Sequence, residues 1–469
     1  MGTKIVMKVN DARGAGHICR VINFVDYATF LNDLVLIVHP KFYEKIPERV
    51  PSILVFDEGY RVDLDRGNIY EKWKNRHRSD VSLETAVEKY YLSMLDPVDE
   101  ETRLVYVDDH NGPENLFPKE VARCIGLDSP DILDLAPSAK LAYQIETQFW
   151  HSSGEDSMSQ TLRRALERAD YLHLSTDPEF LSAVIGTVDF AGQNHKVLTM
   201  GFPLSQAKRE IIASTNNGRK REVLDGLFAK YRIAASRKLI YCTFGAGNGA
   251  EDAIGTLAEV ASQFPKDYVF VIANPANKNS YEAEQRGYDV QPTSTNNREA
   301  KKIELGRGKA LYFIKHKTQA QHLELLAAAD VLVQGNGSST VYESIASGTP
   351  TVNIPLYRPA YEQILGGIGL AMYGAGELLL LPDVAPGFER LKPNLTKEAR
   401  RVKTLPFNPA SLIEALQTIL ANYAAYEEGA RSLQGYFGDS QTIANTVKDM
   451  AAGLDPFKII SRRRLKTYG

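Results

Sequence analysis

A loop rich in glycine and serine carries the most chemical information in this sequence. It follows the apolar run Val331–Val333 and leads into a short segment that Gly348 closes. This order predicts a strand, a loop, and a helix from about Thr340 to Ser347. A helix that begins after such a loop presents backbone N–H groups and the positive end of its dipole to an anion. A diphosphate suits that chemistry, and the residues expected to contact it are Gly337, Ser338, Ser339 and Thr340.

Glu343 has two interpretations. Thr340 and Glu343 have the spacing of a capping box, in which the glutamate bonds only the backbone at the start of its own helix. Alternatively, Glu343 is a ligand-binding carboxylate one turn into a helix that faces a diphosphate. The spacing by itself favours the capping box, because that motif is common.

Two further glycine turns each follow an apolar run. Gly14-Ala-Gly16 follows Ile5–Val9, and Gly245-Ala-Gly247 follows Lys238–Phe244. Each turn precedes a helical pattern, which is how a parallel α/β domain opens. Neither turn is a complete dinucleotide-binding fingerprint, so each is also compatible with a simple tight turn.

His17 is the candidate general base. It comes directly after Gly16, at the carboxyl end of the first predicted strand, where open α/β sheets place their active sites. A neutral imidazole can take a proton from an acceptor hydroxyl near neutral pH. Asp108 and Asp109 follow another predicted strand and could orient that imidazole. A helix-capping histidine and a polar loop at the two aspartates are the alternative interpretations.

These residues must be positioned by alternating strands and helices. Strands are predicted at Ile5–Val9, Leu34–Val38, Arg103–Val107, Tyr171–Ser175, Tyr268–Ile272, Ala310–Ile314, Val331–Val333 and Thr351–Ile354. Such alternation is typical of parallel sheets covered on both faces. The expected organisation is an N-terminal domain at 1–202, a linker at 203–235, a C-terminal domain at 236–450, and a terminal helix at 451–469 that returns to the first domain. The polar stretch 277–306 is expected to be a surface excursion.

Composition excludes several classes of protein. The 469 residues carry a net charge of −3 and are 43% hydrophobic, which indicates an ordinary enzyme and argues against nucleic-acid binding. The three cysteines fit no zinc or disulfide spacing. No signal peptide or membrane-spanning run is visible, so we expect a cytoplasmic protein. No Asp-x-Asp cluster lies beside the loop rich in glycine and serine, and no metal is expected.

The loop rich in glycine and serine that follows Val333, called the donor loop below, resembles a known signature together with the residues after it. The segments Gly337–Glu343 and Ser347–Pro350, and Pro355 followed by Glu362-Gln363, resemble the donor site of inverting GT-B glycosyltransferases. The similarity is greatest to the peptidoglycan lipid-intermediate N-acetylglucosaminyltransferase, within the UDP-glycosyltransferase superfamily. The resemblance implies the α/β GT-B fold, with two Rossmann-like domains facing a cleft. It also implies a UDP-sugar as co-substrate, a small-molecule or glycan acceptor, and no other cofactor.

The resemblance also assigns roles to individual residues. It implies that Glu343 accepts hydrogen bonds from the ribose, and that Glu362 and Gln363 bind hydroxyls of the transferred sugar. Ile314 falls in the segment that recognises the nucleobase through its backbone. The glycine turns expected to face the donor contain Gly16, Gly245 and Gly247.

At position 335 the sequence departs from two patterns found in related enzymes. Plant-type enzymes have a histidine where this chain has Gly335. Retaining GT-B enzymes carry a second glutamate eight residues before Glu343, which is again Gly335. The retaining pattern is therefore absent, and phosphate contacts must come from backbone and hydroxyl groups. A UDP-sugar 2-epimerase of the same fold and a non-catalytic nucleotide-sugar binding protein stay open as alternatives.

Overall fold

The computed structural model describes residues 4–9, 21, 34–38, 52–55, 100–107, 136, 138–145, 166–186, 190, 192–199, 201–233, 238–244, 251–273, 278–294, 297–315, 318–356 and 362–466. The chain divides into two compact units. Unit 1 comprises Met1–Pro178, Asp189–Pro203 and Gly438–Gly469, and unit 2 comprises Glu179–Val188 and Leu204–Phe437. Each unit is built on one sheet.

Unit 1 contains a seven-stranded sheet in the order β3-β2-β1-β4-β5-β6-β7. Every neighbouring pair in it is parallel. Parallel strands are buried on both faces, which explains the continuous apolar runs in the sequence. The strands are β1 (Lys4–Val9), β2 (Leu34–Val38), β3 (Ser52–Val55), β4 (Thr102–Val107), β5 (Lys140–Ile145), β6 (Tyr171–Leu174) and β7 (Val197–Thr199).

Unit 2 contains a nine-stranded sheet in the order β10-β11-β12-β9-β8-β13-β14-β15-β16. It is parallel from β12 to β16, and the hairpin β10–β11 joins the edge of β12 in antiparallel orientation. The strands are β8 (Lys238–Thr243), β9 (Tyr268–Ala273), β10 (Val290–Ser294), β11 (Asn297–Glu304), β12 (Ala310–Ile314), β13 (Val331–Gln334), β14 (Thr351–Asn353), β15 (Gly376–Leu380) and β16 (Thr404–Pro406).

The α-helices of the described residues are numbered here in chain order. The first of them, α1, begins at the boundary between the units, and all but the last two of the others belong to unit 2. They are α1 (Pro178–Ile185), α2 (Gln206–Ser214), α3 (Lys220–Tyr231), α4 (Glu251–Gln263), α5 (Lys278–Gln285), α6 (Gln319–Ala328), α7 (Ser338–Ser347), α8 (Glu362–Met372), α9 (Ala385–Leu391), α10 (Pro409–Ala421), α11 (Tyr423–Ser432), α12 (Ser440–Ala451) and α13 (Pro456–Arg463). None of them is long and apolar enough to cross a membrane.

The two units divide the chain differently from the expected boundaries. Residues 204–233, expected to be a linker, form α2 and α3 in unit 2, where Leu224 and Phe228 pack on the sheet strands in one core cluster. Residues 438–450, expected in the C-terminal domain, belong to unit 1 because Ile443 and Val447 of α12 pack on its sheet. Ile459 of the terminal helix joins the same cluster.

Predicted strands are confirmed where apolar runs are continuous, and the structure adds detail to two other expectations. The stretch 277–306 carries α5 and the hairpin β10–β11. The polar sequence did not predict this hairpin, because an edge hairpin exposes one face and lacks a continuous apolar run. The donor-loop helix begins at Ser338, two residues earlier than expected, because Gly337 takes an extended conformation and serves as the N-cap.

Candidate functional site

The loop between β13 and α7 lies at the carboxyl edge of the unit 2 sheet, because β13 runs parallel to β8 and β14. The first helical hydrogen bond joins the Val341 N–H to the Gly337 carbonyl at 3.1 Å. The N–H groups before Val341 therefore lie outside the helical ladder. Gly337 has no side chain to cap them, and the Ser338, Ser339 and Thr340 side chains are partly exposed. Backbone N–H groups at such a helix start are the groups that bind anions in proteins.

Packing explains why position 335 holds a glycine. A Cβ atom on Gly335 would lie 3.1 Å from the Leu356 side chain and 3.5 Å from Phe244. Leu356 and Phe244 are both buried, so they have little freedom to move aside. This site therefore has no room for the histidine of plant-type enzymes or for the second glutamate of retaining enzymes.

Asn336 links the loop to helix α8. Its backbone is left-handed, with φ of 56°, a conformation that asparagine adopts more readily than most residues. Its buried side-chain Nδ2 donates to the Gln363 carbonyl at 3.0 Å. The loop conformation consequently depends on the position of α8.

Glu343 makes no capping box. The N-cap is Gly337, and Thr340 lies inside the helix. The Glu343 carboxylate is only 3% exposed, and it accepts hydrogen bonds from Lys208 Nζ at 3.1 Å and from His322 Nε2 at 3.2 Å. A third, longer contact of 3.5 Å comes from Gln319 Nε2. Four elements meet here: α2 supplies Lys208, α6 supplies His322 and Gln319, α7 supplies Glu343, and β8 supplies Tyr241, which bonds His322 Nδ1 at 2.7 Å.

The electrostatics of this cluster keep Glu343 ionised. Burial alone would raise the pKa of Glu343, but the Lys208 ammonium and the hydrogen bond from His322 outweigh burial and hold its pKa at about 2. Burial raises the pKa of the Tyr241 phenol well above its ordinary value. Tyr241 therefore keeps its proton and shares a hydrogen bond of 2.7 Å with His322 Nδ1, while His322 Nε2 donates to the ionised Glu343 carboxylate.

The structure describes the side chain of one member of the expected sugar-binding pair, Gln363. Gln363 is 2% exposed, and its side-chain oxygen accepts from the Leu356 N–H at 2.8 Å. That oxygen thus shapes the loop after β14. Glu362 begins α8, and its side chain lies outside the described residues.

Ile314 ends β12 and is buried. It lies at the base of an open pocket of about 230 Å³ between α3 and α6, which Leu227 and Leu325 also line. His17, Asp108, Asp109, Gly16, Gly245 and Gly247 all fall outside the described residues, so the structure describes only the α7 loop, Glu343, Ile314, Gln363 and the backbone of Glu362 from the expected site.

Four residues of this cluster were not anticipated: Lys208, Gln319, His322 and Tyr241. Lys208 lies in a segment expected to be a linker, and His322 and Tyr241 occupy ordinary positions in an apolar helix and strand. No spacing rule connects residues on four different elements, so the sequence held no signal for this cluster.

Comparisons with known proteins give the fold. No family profile and no curated protein sequence matches the chain. Among solved structures, Anabaena HepE in complex with UDP-glucose is similar at 12% identity and a TM-score of 0.50, over 96% of this chain and 100% of that one. The spinosyn rhamnosyltransferase SpnG with spinosyn aglycone is similar at 11% identity and a TM-score of 0.51, over 95% and 100%.

A third similar structure belongs to a different kind of enzyme. A Listeria monocytogenes protein assigned as a UDP-N-acetylglucosamine 2-epimerase matches at 13% identity and a TM-score of 0.52, over 97% of each chain. At these identities the likeness concerns the fold. The chain has the GT-B fold, with one Rossmann-like sheet in each unit.

Proposed function

We propose that this protein is a glycosyltransferase that moves a sugar from a UDP-sugar donor to a hydroxyl or amine acceptor, with inversion at the anomeric carbon. The observation that carries the proposal is the start of α7. Its N–H groups lie outside the helical ladder, its N-cap Gly337 contributes no side chain, and three partly exposed hydroxyl side chains follow in the first turn. This is an anion site at the carboxyl edge of a parallel sheet, where α/β folds bind nucleotides.

The diphosphate would bind at the start of α7, which also stabilises the charge that develops on the leaving UDP. The ribose would lie toward Glu343. Gln319 is the exposed member of the three groups that contact the carboxylate, and its contact is the longest. A ribose hydroxyl can therefore replace the Gln319 amide while Lys208 and His322 stay in place.

In the transfer, the oxygen or nitrogen of the acceptor forms a bond to the anomeric carbon, and the bond from that carbon to UDP breaks. The acceptor must lose a proton in the same process. We assign His17 as the base that takes this proton, with Asp108 or Asp109 as its partner. The resemblance and its place after the first strand support this assignment.

The test of function is incubation with UDP-sugars, with and without candidate acceptors, followed by mass and NMR analysis of the products. A glycosylated acceptor with a β linkage from an α-linked donor supports the proposal, and a retained configuration contradicts inversion. Conversion of UDP-N-acetylglucosamine to its 2-epimer without an acceptor would instead indicate the epimerase, which the similar Listeria fold keeps as the second candidate. Binding without any product would indicate a nucleotide-sugar sensor.

Replacement of the base tests the mechanism. His17→Ala should lower turnover by roughly 10²–10⁴-fold and leave UDP affinity nearly unchanged. The wild-type rate should fall as pH drops below about 6.5, the ordinary pKa of imidazole. Near-normal turnover in the variant would give His17 a structural role and direct the same test to Asp108 and Asp109.

A further inference from the structure

Three side chains of the described residues donate to the carboxylate of Glu343, and one of the three is exposed. Lys208 and His322, which are 6% and 9% exposed, close two sides of it. On the remaining side is Gln319, whose side chain is exposed and whose contact with Glu343 Oε1 is 3.5 Å. A contact of that length is at the limit of a hydrogen bond and is easily exchanged for a better donor.

The two buried partners of Glu343 bind different oxygens of its carboxylate. Lys208 Nζ donates to Oε1, and His322 Nε2, whose ring also bonds Tyr241 through Nδ1, donates to Oε2. Two donors on different oxygens fix the plane of the carboxylate, and the lone pair left on Oε1 points toward the place of Gln319. The charge matters equally, because a protonated carboxyl would donate a hydrogen bond where the site needs an acceptor.

We propose that Lys208 and His322 are positioning residues that make this site select ribonucleoside diphosphates over their 2′-deoxy counterparts. In the complex the ribose hydroxyls take the place of the Gln319 amide at Glu343 Oε1. A 2′-deoxynucleotide lacks one of the donors that this carboxylate is held to receive. The inference rests on the proposed function, since it concerns the same nucleotide site.

Titration calorimetry with matched nucleotides tests the inference. UDP is compared with 2′-deoxy-UDP, and ADP and GDP with their deoxy forms, for the whole protein and its variants. We expect the wild type to bind the ribonucleotide of the preferred base about ten- to a hundredfold more tightly, the effect of one hydrogen bond to a charged group. In Lys208→Met this ratio should fall to about twofold, because the carboxylate loses its charge and its orientation.

Controls separate positioning from general destabilisation. Lys208→Arg should restore most of the ratio. Lys220→Met removes a lysine that bonds Ala329 and Asp330 in the same unit, and it should leave the ratio unchanged. Gln319→Ala should keep or increase UDP affinity, because the ribose displaces that side chain. If Lys208→Met does not fold, Tyr241→Phe provides the same test without a change of charge: it removes the hydrogen bond that orients His322 at Nδ1, and the ratio should fall.

Two outcomes overturn the inference while nucleotide binding stands: a wild-type ratio near one, or an undiminished ratio in folded Lys208→Met or Tyr241→Phe. Failure of the wild type to bind any of the nucleotides contradicts the proposed function itself, and the inference with it.

Discussion

Single residues decide what the donor site can do, and Glu343 shows why sequence spacing alone is insufficient. Its distance from Thr340 fits a capping box, and a local motif is all that spacing can indicate. The actual cap is Gly337, and the carboxylate instead meets Lys208, 135 positions away in the chain. The site residues on one continuous loop could be found from the sequence. Their partners on other elements could not, because tertiary packing alone brings them together.

The ionisation of Glu343 leads to a prediction about stability and pH. Its pKa in the folded protein is about 2, below the usual 4.5, so the folded state binds the proton less tightly than the unfolded chain. The stabilisation is therefore complete above about pH 4.5 and is lost as pH falls from 4.5 toward 2. Glu343→Gln should weaken this acid dependence in urea unfolding followed by circular dichroism. At pH 7 it should cost about 3–5 kcal/mol, because the buried Lys208 ammonium loses the carboxylate charge that it contacts.

The exposed pair of Glu414 and Lys403 provides the control, with an N–O distance of 2.8 Å. Glu414→Gln should change the free energy of unfolding by less than about 1 kcal/mol. Equal effects of the two substitutions would show that the Glu343 cluster is not a special source of stability.

Helices and strands were the easiest features to predict. Buried parallel strands such as β2 and β12 have the predicted bounds, since uninterrupted apolar runs leave few alternatives. The short strands β7 and β16 and the polar hairpin β10–β11 were missed because their pairing, and not their composition, defines them. Contacts between elements also shape the site, because α8 bonds the donor loop through Asn336.

Two adjacent glycines of α8 test that contact. A Cβ on Gly367 would lie 2.5 Å from Asn336 Nδ2 and 2.8 Å from Leu378, whereas a Cβ on Gly366 would lie 3.6 Å from Val341. Gly367→Ala should lower stability by about 1–3 kcal/mol through overpacking and weaken UDP binding by displacing Asn336. Gly366→Ala should be neutral or stabilising by up to about 1 kcal/mol, since alanine favours the helix. Thermal denaturation and UDP titration measure both effects, and a reversed order of the two variants would contradict the assigned contact.

At the scale of the whole molecule, the sequence predicted two Rossmann-like sheets and a terminal helix that returns to the first domain, but it assigned residues 438–450 to the wrong sheet. The position of α12 in unit 1 depends on long-range packing, which an amphipathic pattern cannot assign to one sheet or the other. Each unit consequently has its own apolar core.

Separate cores predict separate responses to core substitutions. Val447 of α12 is fully buried with Ile5 and Met7 of β1, and Leu332 of β13 is fully buried with Tyr241 of β8. Val447→Ala should speed amide hydrogen exchange in β1 and β4 and leave β8 and β13 unchanged, at a cost of about 1–3 kcal/mol. Leu332→Ala should show the opposite pattern. Faster exchange in both sheets from one substitution would mean that the assignment of α12 to unit 1 is wrong.

The most direct test of the account is UDP titration of Gly337→Asp beside Gly337→Asn. Gly337 has φ of −61°, and no atom lies within 4 Å of a Cβ built there, so either side chain fits. Aspartate is a good N-cap and should keep or raise thermal stability, yet its charge would oppose a diphosphate at the start of α7. The account predicts that Gly337→Asp lowers UDP affinity at least about tenfold relative to Gly337→Asn, with no loss of melting temperature. Equal UDP affinity in the two variants would contradict a diphosphate site at the start of α7.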